Sequence, residues 1–157
     1  MAGWGPTVLR FVAGLTFVAH GVETLMPVWG WTPNPAAAIL PAQGLGADSL
    51  IVVLAGSLYV AGGLALVAGA FTTVAATTLA VERVISLWYL HLGNGFFLNW
   101  TLTTDLPHGS EYHLLSLAAL LCLAFEGGGE FSVDARRSER AEAMALGRAR
   151  LRTGKLR

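Results

Sequence analysis

Charged side chains are scarce in this sequence: 13% of its 157 residues are Asp, Glu, Lys or Arg, while 54% are apolar. A soluble domain carries about 25% charged residues. The composition therefore excludes an ordinary water-facing globular surface and predicts a membrane protein. Cysteine is nearly absent as well. Because Cys122 stands alone, no intrachain disulfide can form, and cysteine usage does not indicate a cellular compartment.

Basic residues are missing from most of the chain. The first 134 residues hold two of them, Arg10 and Arg83, against eight acidic residues. From Ala135 onward eight Lys or Arg face two Glu, a balance of +6. This asymmetry is typical of a tail that faces the cytoplasm or an anionic lipid surface. No folded nucleic-acid-binding motif accompanies the basic residues, so we expect no nucleic-acid partner.

Four apolar segments approach or exceed the roughly 20 residues that span a bilayer. They are residues 7–27, 49–69, 71–92 and 109–126. The first segment lacks a basic leader and is not followed by a soluble domain, so we interpret it as a retained span and not as a signal peptide. Small residues at four-residue spacing predict close helix packing along the second span, namely Ala61, Ala65 and Gly69.

The distribution of Lys and Arg predicts the topology. The connections 27–48 and 93–108 contain neither residue, whereas the segment 135–157 is rich in them. By the positive-inside rule the connections lie outside and the tail lies in the cytoplasm. Four spans return the N-terminus to the same side. We therefore predict an all-α integral membrane four-helix bundle over residues 1–134, with both termini cytoplasmic, and a basic cytoplasmic tail over 135–157.

The ionisable residues of the spans form two predicted layers, counted at about 1.5 Å of helix per residue from the cytoplasmic ends. The deep layer consists of His20, Glu23, Glu82 and Arg83. The outer layer consists of His91, His108, Glu111 and His113. Ionisable residues in hydrocarbon are energetically expensive, face the bundle interior and usually mark function. The alternative is structural, with Arg83 and a carboxylate locking two helices together.

Arg83 needs a partner because an arginine side chain is effectively always charged. Glu82 is adjacent, but neighbouring residues of a helix point about 100° apart and do not face each other. We therefore predict that the first and third helices touch, with Arg83 bonded to Glu23 and His20 close by.

Several kinds of site are not indicated by the sequence. No HxxH or ExxH pair occurs, so we do not predict a metal site. No G-x-G-x-x-G motif or Walker loop is present, and no nucleotide site follows. Motifs for nucleophilic catalysis are absent too, so whether the chain is an enzyme stays open.

Four stretches of the chain resemble the DoxX family, which are small four-helix membrane proteins of bacteria. The stretches are LRFVAGLTFVAHG at 9–21, HLGNGFF at 91–97, GSEYHLLSLAALL at 109–121 and GGGEFSVD at 127–134. They occur in the expected order and cover most of the predicted membrane part, but not the basic tail. The sequence departs from the family pattern at Glu23, where a basic residue is common nearby, and at His113, where proline is common.

The resemblance implies a multi-pass protein of the bacterial inner membrane that is associated with a respiratory or other redox system. Relatives are named for a subunit of a thiosulfate:quinone oxidoreductase, which makes quinone the candidate cofactor. The candidate cofactor-binding residues, near the outer membrane face, are His20, Glu23, Glu82, Arg83, His91, Glu111 and His113.

Two other functions compete with the quinone hypothesis. The chain could be a non-catalytic accessory or assembly subunit of a larger membrane complex, in which case other membrane subunits are its partners. A small transporter or channel is the third hypothesis. It ranks last because four short helices leave little room for a pathway without oligomerisation.

Overall fold

The computed structural model describes residues 4–31, 50–98 and 109–154, and this part of the chain is helical, without strands. Its five long helices are α1 (Trp4–Leu25), α2 (Leu50–Ala68), α3 (Thr72–Ser86), α4 (Glu111–Glu126) and α5 (Val133–Gly154). The predicted all-α class is confirmed. Residues 32–49 and 99–108 of the two predicted connections, with His108 among them, lie outside the described residues.

Two helices continue beyond their regular α-helical part. A 3-10 turn, Met26–Trp29, follows α1. A π-helical turn, Leu87–His91, follows α3, and a 3-10 turn, Leu92–Asn94, follows that. The four apolar segments thus form helices near the predicted positions. It stays a prediction that all four helices span the membrane.

A tight turn joins α2 to α3. Gly69 adopts a left-handed conformation with φ of 66°, which glycine reaches without steric cost. Its N–H donates to the Leu66 carbonyl at 3.0 Å, and the Ala70 N–H donates to the Ala65 carbonyl at 3.0 Å. Such a short connection makes α2 and α3 antiparallel neighbours.

Glycines let α1 and α2 approach each other closely. A Cβ atom on Gly14 would lie 2.7 Å from the Gly63 carbonyl oxygen, and one on Gly21 would lie 2.8 Å from the Gly56 carbonyl oxygen. The prediction that Ala61, Ala65 and Gly69 form the close-packed stripe is wrong, because Ala61 is exposed and Gly69 lies in the turn. The helix face that allows the closest backbone approach carries residues without a Cβ atom.

The helices define two ends of the molecule. The tail end holds the start of α1, the α2–α3 turn, the end of α4 and the start of α5. The histidine end holds the end of α1, the π-turn after α3 and the start of α4. Between them lies an apolar core formed by Phe17, Tyr59, Leu66, Ala76, Leu79, Ala80, Leu120 and Leu123. The outward faces of α1 to α4 expose many large apolar side chains.

Candidate functional site

The π-turn at the end of α3 positions His91. Such turns are rare and frequently occur at functional sites. His91 Nδ1 lies 3.2 Å from the carbonyl oxygen of Ser86, five residues earlier. The His91 ring packs against the ring of His113 on α4, with centroids 3.8 Å apart. The structure therefore brings together two of the predicted site residues.

His113 is enclosed at the histidine end, with 8% of its surface exposed. Its Nε2 lies 3.4 Å from Ser86 Oγ, beyond the usual length of a good hydrogen bond. Its Nδ1 is the one buried side-chain nitrogen or oxygen, among the described residues, to which the structure gives no hydrogen-bond partner. A buried polar atom left unpaired costs about 1–3 kcal/mol, and each one in a native structure requires an explanation.

Side chains from α1 complete the cluster on the other side of His113. The His20 ring lies 5.3 Å from the Tyr112 ring, which lies 5.9 Å from that of His113. His20 Nδ1 is 3.7 Å from Glu23 Oε2, one turn along α1. Tyr112 was missed in the sequence, although it sits between two predicted site residues.

We call five side chains the histidine cluster: His20, Ser86, His91, Tyr112 and His113. They come from α1, from the end of α3 with its π-turn, and from α4. Three of these residues, all histidines, were predicted from the sequence. Ser86 and Tyr112 were not among the predicted site residues.

Glu111 has a local role that the sequence did not predict. Its Oε2 accepts a hydrogen bond from the Leu98 N–H at 3.1 Å, and its own N–H donates to the Phe96 carbonyl at 2.8 Å. The Ser110 N–H donates to the Gly95 carbonyl at 3.1 Å. These bonds hold the segment 95–98 against the first turn of α4. A cofactor-binding role for Glu111 stays a prediction.

Arg83 lies in the interior, with 6% of its surface exposed. Its Nε donates to Glu82 Oε2 at 2.8 Å, and the Tyr59 hydroxyl donates to the other Glu82 oxygen. The guanidinium carbon lies 4.6 Å from the Tyr59 ring centroid and 5.3 Å from that of Phe17. We call Tyr59, Glu82 and Arg83 the Arg83 network. The prediction of Glu23 as the ion-pair partner of Arg83 is wrong, because the ion pair is formed with Glu82.

Side-chain length explains the unexpected pair. Glutamate and arginine side chains are long enough to bend toward each other from adjacent positions, and the aromatic rings hold the guanidinium in place. The predicted contact between the first and third helices is present, since Phe17 belongs to α1. Arg83 lies three residues, or about one helical turn, before Ser86 of the histidine cluster on α3. The Arg83 network thus lies at the inward side of the histidine cluster.

Arg10 at the tail end was not singled out in the sequence, yet it is buried, with 5% of its surface exposed. Its guanidinium donates to two carbonyls at the end of α2, Leu66 at 3.1 Å and Val67 at 2.5 Å. It also donates to the Gly128 carbonyl at 2.8 Å and the Phe131 carbonyl at 2.9 Å, both after α4. A cation at a helix C-terminus complements the helix dipole. Arg10 therefore ties α1 to the ends of α2 and α4.

Asp134 makes the complementary contact to the start of α3. Its carboxylate accepts the Phe71 N–H at 2.9 Å, the Thr72 N–H at 2.8 Å and the Thr72 hydroxyl at 3.0 Å. Burial alone would raise the pKa of Asp134, but these hydrogen bonds and the charge of Arg137 lower the pKa below its usual value. We call Arg10, Asp134 and the backbone they bind the tail-end lock. In the sequence, the tail-end lock was indicated only by two of the stretches that resemble the DoxX family. These are residues 9–21, which contain Arg10, and residues 127–134, which contain Asp134.

An apolar groove of about 350 Å³ runs between α3 and α4. Val81 and Val84 line one side, and Leu117 and Leu121 line the other. Leu117, at one end of the groove, is one helical turn from His113 along α4. Within the described residues no group of three or more His, Cys, Asp or Glu is arranged to hold a metal ion.

Comparison with known proteins identifies the family. The family model of DoxX matches residues 5–92, which is more than half of the chain. The chain belongs to the DoxX family. An uncharacterized protein of Haemophilus influenzae is 28% identical over 129 residues, which cover 80% of this chain and 85% of that protein. No solved structure matches the chain.

The DoxX match covers α1 from Gly5 onward and all of α2. The helical stretch Trp4–Trp29 and the helix Leu50–Ala68 are each long and apolar enough to cross a membrane, by length and composition. Together with the family, these helices characterise a membrane protein in contact with a lipid bilayer. The DoxX match contains Arg10 and Arg83 but ends before α4, so His113 and Asp134 lie outside the matched residues.

Proposed function

We propose that this DoxX protein crosses the bacterial inner membrane four times, with both termini in the cytoplasm. Exposed apolar side chains on α1 to α4 support a lipid environment, since soluble monomers rarely expose large contiguous apolar patches. Exposed tryptophans at both ends, such as Trp4 and Trp88, support two interfacial belts. The basic residues of α5 support a cytoplasmic tail end.

Accessible cysteines test this topology in a Cys122→Ser background. Ser138→Cys on α5 should resist a membrane-impermeant thiol reagent in intact cells and react with it in inverted membrane vesicles. Trp31→Cys, at the histidine end, is the matched control and should show the opposite pattern. Labelling of Ser138→Cys in intact cells would refute the topology.

At the histidine end we propose a binding site for the headgroup of a quinone, through which the protein takes part in a redox system. The observation that carries this proposal is His113 Nδ1, which is buried and has no hydrogen-bond partner in the described residues. A carbonyl or hydroxyl oxygen of a quinone or quinol supplies the missing partner. Leaving such a nitrogen unpaired has a cost, which gives the site a specific affinity for an oxygen-bearing ligand.

The charge of the site favours a neutral ligand. Arg83 and Glu82 form a pair whose charges cancel, so an anion entering beside them would leave an uncompensated charge in a region of low dielectric constant. Burying such a charge is expensive. A neutral ligand with polar oxygens avoids this cost. The rings of His91, His113 and Tyr112 pack against one another and form an aromatic surface for a planar headgroup.

The groove between α3 and α4 supports a ligand with an apolar chain. Its volume of about 350 Å³ is at the lower end of the roughly 300–1,000 Å³ that ligand pockets occupy. A headgroup at His113 would place its prenyl chain beside Leu117 and Val84. The polar end and the apolar groove thus match the two parts of a membrane quinone.

Quinone binding to the purified protein in neutral-lipid nanodiscs tests the site. His113→Leu should weaken binding about tenfold, the equivalent of one hydrogen bond of roughly 1–1.5 kcal/mol. Ser116→Ala is the matched control, because Ser116 is on the same helix and its hydroxyl bonds the His113 carbonyl instead of the cluster. Equal affinity of the wild type and His113→Leu, or no binding by the wild type, would contradict the quinone site.

An accessory subunit of a larger membrane complex is the second candidate function. The observation in its favour is the same groove, which a helix of a partner subunit could fill. Isolation in mild detergent distinguishes the candidates. Co-purification of quinone with the lone chain supports the first, and co-purification of stoichiometric membrane subunits without quinone supports the second.

A further inference from the structure

Among the described residues, the hydrogen bonds that attach helix α5 to the other helices come from its first turn. Ser132 Oγ caps the helix by accepting the Ala135 N–H at 3.0 Å. The Asp134 N–H donates to the Gly69 carbonyl at 3.0 Å, and its carboxylate binds the start of α3. From Arg136 onward every described side chain is exposed. The base of α5 is therefore fixed at the tail end while the rest of the helix lacks a packed face.

Exposed aromatic side chains surround the base of α5. Trp4, Phe71, Phe125 and Phe131 belong to α1, the α2–α3 turn, α4 and the link before α5, and all are exposed. The Trp4 and Phe131 rings lie 4.8 Å apart. We call these four residues the aromatic belt. Aromatic side chains concentrate at the boundary between hydrocarbon and headgroups, so the aromatic belt marks the headgroup level next to α5.

Basic side chains begin at this same level. The guanidinium carbon of Arg137 lies 5.1 Å from the centroid of the Phe71 ring. Arg136 and Arg140 lie within one turn of it and are exposed. Arginine binds phosphate oxygens through paired N–H donors. These three arginines therefore stand where the phosphates of a surrounding leaflet lie.

We infer that α5 and the aromatic belt form a binding surface for the phosphate groups of anionic lipids. A predominantly polar helix without a packed face requires an external partner or many internal ion pairs, and α5 has six arginines against three acidic residues, Asp134, Glu139 and Glu142. Lipid is favoured over an acidic protein because the aromatic belt places the first basic residues directly at the headgroups. The inference rests on the proposed membrane spans but not on quinone binding.

Backbone hydrogen exchange of α5 tests the inference in the full-length protein. One sample is reconstituted in phosphatidylcholine nanodiscs and another in nanodiscs of phosphatidylcholine and phosphatidylglycerol in equal parts. At low salt the anionic lipid should slow exchange in α5 at least about tenfold, and high salt should remove the difference. Exchange in α2, which is far from the headgroups over most of its length, serves as the internal reference.

Charge variants of α5 separate lipid binding from a change in helix propensity. Replacing Arg136, Arg137 and Arg140 with Gln should abolish the protection by anionic lipid. The matched control replaces Glu139 and Glu142 with Gln, which keeps similar helix propensity and should increase the protection. Equal exchange in the two lipid mixtures, or an unchanged response in the arginine variant, would overturn the inference.

Discussion

Replacement of Arg10 tests whether the tail-end lock holds the helices together. Arg10→Leu leaves a side chain of moderate size at this position but removes the charge and all four hydrogen bonds to the carbonyls of Leu66, Val67, Gly128 and Phe131. Hydrogen bonds from a charged group contribute about 1.5–3 kcal/mol each, and they are not additive. Part of the loss is recovered because water at the membrane boundary can reach the freed carbonyls.

The expected loss in the free energy of unfolding is about 3–5 kcal/mol, similar to the cost of breaking a buried charge pair on one side. For a chain of this size that lowers the unfolding midpoint by on the order of 10 °C. Thermal and denaturant unfolding of the purified protein in one detergent measure both quantities. Arg10→Lys should recover only part of the loss, because lysine keeps the charge but lacks the planar fork.

Arg148→Leu is the matched control for this experiment, since Arg148 is exposed on α5. Its unfolding free energy should stay within about 0.5 kcal/mol of the wild type. If Arg10→Leu also stayed within that range, the lock would not contribute to stability, and the reasoning from buried hydrogen bonds would be refuted.

Three further substitutions probe other contacts. Asp134→Ala should cost about 1 kcal/mol through loss of the α3 cap. The pKa of Asp134 is lowered in the folded protein. The wild type should therefore be more stable than Asp134→Ala above the unfolded pKa of about 3.9, and this difference should be lost as the pH falls through the lower folded pKa. A difference in unfolding free energy that does not shrink in acid would contradict this. Gly63→Ala should cost about 1–3 kcal/mol, because the added Cβ would lie 2.7 Å from the Gly14 carbonyl oxygen of α1. The control Gly147→Ala, in open space, should stabilise α5 slightly. Equal effects of the two changes on the free energy of unfolding would argue against the close α1–α2 contact. Tyr59→Phe should cost about 1–3 kcal/mol by leaving one Glu82 oxygen without its donor, and an unchanged unfolding midpoint would show that this hydrogen bond is not stabilising.

Much of the helical framework was predictable because its signals are local. Apolar runs of sufficient length indicated helices, and in the structure α2 and α4 end next to Gly69 and Gly127, which have positive φ. Counting residues from the helix ends placed His20 and Arg83 at similar depth. The structure agrees with that estimate, because the Arg83 guanidinium carbon lies 5.3 Å from the ring centroid of Phe17, three residues before His20 on α1.

The candidate site was only partly predictable. The sequence indicated that His91 and His113 lie at the same end of the molecule, since one ends a helix and the other begins one. Their ring contact depends on the π-turn Leu87–His91, and no local pattern indicated an irregular turn there. Tyr112 was missed because an aromatic residue at a helix start is usually interpreted as an interfacial side chain.

The sequence by itself determined the helices, their order, their approximate ends and the concentration of basic residues after residue 134, because apolar length and glycine placement act over a few residues. Only the tertiary structure decided which side chains meet. Arg83 binds the adjacent Glu82 and not Glu23, Arg10 binds four distant carbonyls, and α1 packs on the Gly56 and Gly63 face of α2. The physical reason is that the rotation of each helix about its axis, and the torsions of long charged side chains, are set by packing against the other helices.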